Sequence, residues 1–447
     1  MNKLQAGFSR VNITPMMGIA IAGYYQTRLA DGVLDDLELN VLAVASDDQK
    51  SVIISADLLY FHDDSADDCR AYVSEMTGLP LSAIIVHSTH THTGPYLRRN
   101  SGDALLDEYY QFFRHKMVDA VNFALADLKP AKMGWAIGNA PNIAFVRRFR
   151  MKDGSVKTNP GVNNPDIVAP IGEVDERVNV VRFDREGADS IVLVNFGNHP
   201  DTVGGCKISC DWPGFLRKTV EQAIDGTKCI FINGAQGDVN HVNVHPTGGY
   251  LNDTFNDFDD VSRGYGHARF MGRVVAGGVM QVYDKVKYVD VDSVQYMEKL
   301  IQIPSNMPAP EEMEEAYYID KMHQEGRDDE LPYSGMLLTT KVAEAARKIR
   351  LEHGPEYFDM KLAGIAIGEV VLIGIPGEPF TGIGRGLKES EEFALVMPAC
   401  CVNGAQGYFP MKEAYDEGGY EAGSSRFRAG VAEIIIHEGK QLIKDLA

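Results

Sequence analysis

The sequence predicts a mixed α/β fold, and three observations carry that prediction. Apolar runs of strand length recur along the whole chain, segments of helical period fall between them, and neither kind is gathered into one half. Interleaving of this sort points to sheets flanked by helices. Leu39–Ala45 and Ser51–Ser55 read as two strands joined by the polar turn Ser46-Asp-Asp-Gln-Lys50. Ala83–Val86 is apolar throughout and reads as a buried strand. Over 103–128, Leu105, Tyr109, Phe112, Phe113, Val118 and Val121 recur mostly at three- and four-residue steps, predicting a helix. Asn179–Phe183 and Ser190–Phe196 form a second strand pair around Asp184-Arg-Glu-Gly187. Asp211-Trp-Pro-Gly214 reads as a helix start, with Asp as cap and Pro two residues in. Cys229–Ile232 is another strand, and helical period returns at 265–284.

Residues 305–352 differ in character and read as a helical insertion. Pro308-Ala-Pro310 precedes the acid-rich start Glu311-Glu-Met-Glu-Glu, which suits the positive end of a helix dipole. A second helix is expected over Thr340–Leu351, carrying Lys341, Arg347, Lys348 and Arg350. The expected arrangement is a peripheral pair with a solvated charged face. Strands resume over Leu362–Ile375. No internal repeat, low-complexity segment or long linker is apparent, so one large domain over 1–447 is expected.

Composition describes a globular chain, with 45% hydrophobic and 24% charged residues. Asp plus Glu at 63 against Lys plus Arg at 43 gives a net charge of −20. Such a surface repels phosphate backbones and anionic membranes, so nucleic-acid binding is disfavoured. No run of about 18 apolar residues is present to cross a membrane. The start, Met1–Phe8, has no apolar signal-peptide core, and the six cysteines match no zinc-ribbon or disulfide spacing. Cys206 and Cys210 are expected to be free thiols, and a cytoplasmic location follows.

The chemistry concentrates where apolar runs end. Ala83–Val86 leads into His87-Ser-Thr-His-Thr-His-Thr-Gly-Pro95, three imidazoles within six residues. If the strand continues, His90 and His92 share one face, and two neutral imidazoles there make half of a transition-metal site, usually zinc. Ile191–Phe196 ends in Gly197-Asn-His199-Pro. Val370–Ile375 ends in Pro376-Gly-Glu378-Pro, and Asn403-Gly-Ala-Gln-Gly-Tyr408 offers a phenol, with Tyr420 twelve residues on. Strand ends of this kind are where α/β sheets bind ligands. Asp57, after the strand at Ser55, is either an orienting carboxylate or a capping residue. Asn233-Gly-Ala-Gln-Gly-Asp238 suggests a close backbone approach near the site but lacks the ending of a phosphate loop. No Gly-x-Ser-x-Gly elbow supports a serine hydrolase.

Together these residues resemble the neutral, non-lysosomal ceramidase family of zinc amidohydrolases. The resemblance runs from Gly7-Phe-Ser-Arg-Val-Asn-Ile-Thr-Pro15 onward, with Thr89-His-Thr-His-Thr-Gly-Pro95 as its specific signature. It implies His90, His199, Glu378 and Tyr408 as the shell of a Zn2+ ion. It implies His92 beside the reacting carbonyl, with Tyr420 and Arg147 also approaching the substrate. Arg147 is preferred to Arg148 within Asn142-Ile-Ala-Phe-Val-Arg-Arg148. The implied reaction is hydrolysis of a lipid-like or small N-acyl substrate by metal-activated water, as in lipid metabolism. Secreted members carry a signal peptide and an additional C-terminal β-sandwich, neither of which is expected here. The chain reads Val-Arg-Arg148 where Asn-Arg-Ser is the pattern, and Tyr-Leu-Arg-Arg99 follows Gly94-Pro95 in place of further glycines. The metal chemistry is therefore implied more strongly than the lipid substrate. The alternatives are a zinc esterase or lactonase for a small polar substrate, and a non-catalytic metal-binding protein. Structural zinc sites are usually closed and cysteine-rich, unlike this one.

Overall fold

The computed structural model describes residues 4–47, 49–246, 254–259 and 261–447. A nine-stranded mixed sheet and a four-stranded sheet pack face to face, with helices on the outer face of each. Mixed sheets flanked by helices are what the sequence pattern predicts. The main path of the large sheet runs Thr227–Asn233, Ser190–Phe196, Arg177–Arg185, Lys129–Asn139, Leu4–Asn12, Glu38–Ser46, Gln49–Ala56, Ile84–Ser88. Its pairings are antiparallel except for the outermost pair at each end. The small sheet runs Val294–Pro304, Tyr357–Ile367, Val370–Gly374, Leu395–Ala399, with the last pair parallel.

The strands are apolar on both faces because both faces are covered. Along Glu38–Ser46, Leu39, Val41 and Ala43 face the helices Asp63–Thr77 and Ala104–Ala126. Leu42 and Val44, pointing the other way, meet the small sheet at Ile365 and Leu372. At the far end, Val192 and Phe231 pack on Trp212 and Val275 of the helices Asp211–Ala223 and Tyr265–Met280. The C-terminal helix Val431–Leu446 covers the outer face of the small sheet through Ile435 and Leu442.

The expected hairpins form: Ser46 pairs with Gln49, and Asn179 with Asn195. Asp48, in the first expected turn, lies outside the described residues. The helix expected at 103–128 spans Ala104–Ala126, capped by the Asp103 carboxylate on the Leu105 and Leu106 N–H groups. Asp211 takes the Trp212 N–H on one oxygen and those of Thr202 and Val203 on the other, tying the helix start to the chain after His199.

The helical pair departs from expectation. Its helices are Met313–Gln324 and Gly335–Leu351, the second starting earlier than Thr340. Glu314, Glu315, Lys321 and Arg350 are exposed as expected, but two of the second helix's cations are not solvated. Arg347 is buried and donates to the carbonyls of Gly423 and Asn306, and Lys348 is buried between Glu312 and Glu344. Among the described residues no helix is long and apolar enough to cross a membrane, and all six cysteines are free.

Asp57 closes the strand Gln49–Ala56. Its buried carboxylate receives two guanidinium hydrogen bonds from buried Arg217, at 3.0 and 2.6 Å, and the Glu38 N–H at 2.9 Å. Thr89 of the histidine motif donates to the same carboxylate at 3.2 Å. Asp57 therefore touches none of His90, His92 and His199 and acts on the motif through Thr89, one residue before His90. Removing it leaves buried Arg217 with only the partly exposed Glu38 carboxylate, 3.1 Å away, a loss of up to about 3–5 kcal/mol. Urea unfolding of Asp57→Ala should show that loss, whereas a change near 0.5 kcal/mol, as at an ordinary surface site, would mean the pair does not hold the strand end.

Candidate active site

Three parallel strand pairs point their C-terminal ends at one place. From these ends come the histidine motif after Ser88, His199 after Phe196, Gln236 after Asn233, Glu378 after Gly374 and Tyr408 after Ala399. The expectation that His90 and His92 share a strand face is corrected. The strand stops at Ser88, and His90 has φ 76, outside any strand conformation. Backbone bonds hold the loop instead: Thr89 N–H to Ala56 O, His90 N–H to Leu58 O and His92 N–H to Pro200 O.

The loop still brings the rings together. Ring centroids lie 5.1 Å apart for His90 and His92, 5.0 Å for His90 and His199, and 5.7 Å for His92 and His199. One nitrogen from each lies within 4.8 Å of the others. The Glu378 carboxylate reaches two of them, 3.3 Å from His90 Nε2 and 3.2 Å from His199 Nε2. His90 Nδ1 lies 2.9 Å from Leu59 O, and His199 Nδ1 lies 2.9 Å from Gln236 O. A carbonyl only accepts, so each Nδ1 carries the proton and each Nε2 presents a lone pair toward Glu378. His90 Nε2, His199 Nε2 and both nitrogens of His92 are buried without a hydrogen-bond partner. Each such orphan costs about 1–3 kcal/mol, and a divalent cation between them relieves it.

Electrostatics suit that cation. Burial, then Arg147, pushes His199 down to about 4, and burial holds His92 well below the usual imidazole value despite Asp201. Both rings are neutral at pH 7, the form that ligates metals. The donor set of imidazole nitrogens and one carboxylate fits zinc.

Glu378 and Tyr408 are neighbours by register, since Glu378–Pro379 pairs in parallel with Tyr408–Phe409. The Tyr408 ring stacks 6.4 Å from His199 and stands 5.5 Å from Tyr420. Burial, seconded by Glu378, pushes the Tyr408 phenol well up, with Arg147 opposing. Arg147 donates to Tyr408, pairs with Glu421 at 2.6 Å and donates to Gly237 O at 2.8 Å. Arg148 turns away, toward Glu417 and Gly418 O. His90, His92, Glu378, Tyr408 and Tyr420 line a cavity of about 480 Å³, while His199 and Arg147 stand behind its wall.

A neutral ceramidase from Pseudomonas aeruginosa superimposes with a TM-score of 0.72 at 15% identity, covering 100% of this chain and 75% of that one. A ceramidase complexed with C2 gives 0.71 at 15% identity with the same coverage. The chain has the neutral ceramidase fold. No family model matches the sequence, and neither does any curated protein.

Within this ceramidase fold several residues at the site escape sequence reading. Asp201, two residues after His199, lies 3.7 Å from His92 Nδ1, accepts from the Tyr24 hydroxyl at 2.7 Å and is paired with Arg263 at 2.6 Å. Only its closeness to His199 signals it. Contrary to the expectation of no repeat, the sequence Asn-Gly-Ala-Gln-Gly occurs twice, at 233–237 and 403–407. Both copies serve the site. The Asn233 side chain donates to Thr89 O and Asn198 O, and Asn403 takes the Val86 N–H on its side-chain oxygen. The Gln236 side chain donates to Glu378 at 3.3 Å. Gly237 bears out the expected close approach, since a Cβ there would meet Glu378 O at 2.5 Å. A five-residue repeat at separated strand ends is too short for a search by period.

His87, the third imidazole of the motif, points elsewhere. Its Nε2 accepts the Asn233 N–H at 3.0 Å and its Nδ1 meets the Ser55 hydroxyl at 3.1 Å, while burial pushes it down to about 3. His241 is occupied with Ser262 O and packs on His267. His87→Ala should destabilise the fold by about 1–3 kcal/mol through the orphaned Asn233 N–H, read by thermal unfolding. Its divalent-metal stoichiometry should match the parent protein. Loss of metal with unchanged stability would reassign His87 as a ligand.

Proposed function

We propose that this chain is a zinc-dependent hydrolase cleaving an N-acyl amide bond. The carrying observation is the set of unpartnered buried nitrogens of His90 and His199 meeting across the Glu378 carboxylate beside an open cavity. His90, His199 and Glu378 would hold the ion, with Tyr408 completing the shell from the neighbouring bridge. Bound zinc would supply a water with a pKa of about 7 and a Lewis acid for the substrate carbonyl.

The chain's own groups then have distinct tasks. His92, neutral and partly buried, takes a proton at its free nitrogen and returns it to the departing amine, with Asp201 stabilising its cationic form. Tyr420, whose phenol is raised by burial and then by Tyr25 and Tyr408, stays a donor at neutral pH and faces charge growing on the carbonyl oxygen. Arg147 is a positioning residue, holding Tyr408 through its hydrogen bond and itself held by Glu421. The proposed unit is a single catalytic domain over 1–447 with 305–352 as a helical insertion, and the free cysteines support a reducing, cytoplasmic location.

A zinc esterase or lactonase acting on a small polar substrate is the second reading, favoured by the many phenols on the cavity wall. The open cavity argues against a purely structural metal site.

One equivalent of zinc is expected by metal analysis. His90→Ala and His199→Ala should lose both the ion and hydrolysis of short N-acyl amides, and turnover surviving complete metal removal would overturn the assignment. Tyr420→Phe should keep the metal and lower kcat by about 10²–10³-fold; an unchanged kcat would remove it from the reaction.

A further inference from the structure

Two cations share the cavity with the candidate metal ligands. Arg350, from the helix Gly335–Leu351, and Arg426 both line it. Among the described residues neither guanidinium enters an ion pair or a side-chain hydrogen bond, and Arg426 leans over Phe358 at 5.3 Å. The two stand close enough that Arg350, after burial, lowers the Arg426 pKa, with Asp63 and Tyr60 opposing. Asp63, the nearby carboxylate, is taken by the Ala405 N–H at 2.9 Å and the Gln406 side chain at 3.2 Å. The lining carboxylate, Glu378, faces His90 and His199.

The cavity is thus cationic in a chain of net charge −20. Its remaining wall is mainly phenolic, with little aliphatic surface. Tyr24, Tyr25, Tyr60, Tyr96, Tyr408 and Tyr420 line it, and Leu59 is its branched aliphatic side chain. A volume of about 480 Å³ suits a small molecule. Guanidinium groups lining one small cavity are a natural receptor for a carboxylate, which they bind by charge-assisted, often forked hydrogen bonds.

Resting on the hydrolase reading, we propose that the substrate is a short N-acyl amino acid, and that Arg350 and Arg426 bind its free carboxylate while the amide lies at His90, His92 and Glu378. One water is consumed: the C–N bond breaks, hydroxyl goes to the acyl carbon, and the proton goes to the leaving amine. The products are a carboxylic acid and a free amino acid.

The test uses the zinc-loaded full chain with N-acetyl and N-hexanoyl amino acids and their neutral carboxamides. The acids should exceed their carboxamides in kcat/KM by about 10- to 100-fold, the range of a charge-assisted contact, chiefly through KM. Arg350→Gln and Arg426→Gln should each collapse that preference toward unity. Arg350 is exposed and unpaired, so its variant remains informative if Arg426→Gln does not fold. Calorimetric titration of the acid onto the His90→Ala chain reads the anion site without turnover. Equal turnover of acids and carboxamides overturns the carboxylate site and leaves the hydrolase standing. Absence of any turnover, with acid binding still dependent on Arg350, overturns the hydrolase reading and the substrate with it.

Discussion

The site depends on the meeting of the two ends of the large sheet. Thr227–Asn233 and Ile84–Ser88 are the first and last strands of that sheet, yet they join through buried polar groups. Ser55 donates to Phe231 O at 2.6 Å, and the Asn233 N–H enters His87 Nε2. The segment after Leu395–Ala399 binds the second sheet into the same junction: Cys400 N–H reaches Asn233 O, Ser88 N–H reaches Cys401 O and Asn403 N–H reaches Val86 O. Buried backbone and side-chain groups paired in this way favour one arrangement, because a slip leaves further donors or acceptors unsatisfied in a low-dielectric interior.

From that junction the orientation of the histidines follows. His90 sits at φ 76, an unfavourable backbone for a side chain of its size, held by the Leu58 and Leu59 carbonyls on its backbone and ring. His199 is gripped by Gln236 O at Nδ1, and its own carbonyl takes the Trp212 indole N–H at 3.2 Å. Each grip selects a tautomer and turns one lone pair inward. Gly377, at φ 152, has Gly407 O so close that a Cβ would meet it at 2.5 Å, which lets Glu378 and Tyr408 lie side by side.

The region 305–352 shows how a segment that looks peripheral in sequence becomes part of the cavity. Its second helix is drawn against Tyr420–Ser424 by Arg347, whose guanidinium donates to Gly423 O across the contact and to Asn306 O at the start of the same region. The same helix brings Arg350 to the cavity edge. The cationic edge of the cavity therefore comes from a different part of the chain than the histidine cluster, which strand ends supply.

The sequence alone determined the element types, the hairpins at Ser46–Gln49 and 179–195, and the motifs that carry chemistry, because period and turn chemistry are local properties. It also singled out His90, His92, His199, Glu378, Tyr408 and Tyr420, which the fold gathers into one place. Only the tertiary structure decided that His87 is a junction residue and that His90 reaches the cluster from a left-handed backbone, since the strand breaks at Ser88 and no alternation pattern encodes that break. It alone placed Asp201 beside His92, Arg147 behind Tyr408 and Arg350 at the cavity, because these contacts span residues far apart in the chain. Local periodicity states which face of an element is apolar; which distant polar groups meet is set by how the sheets close.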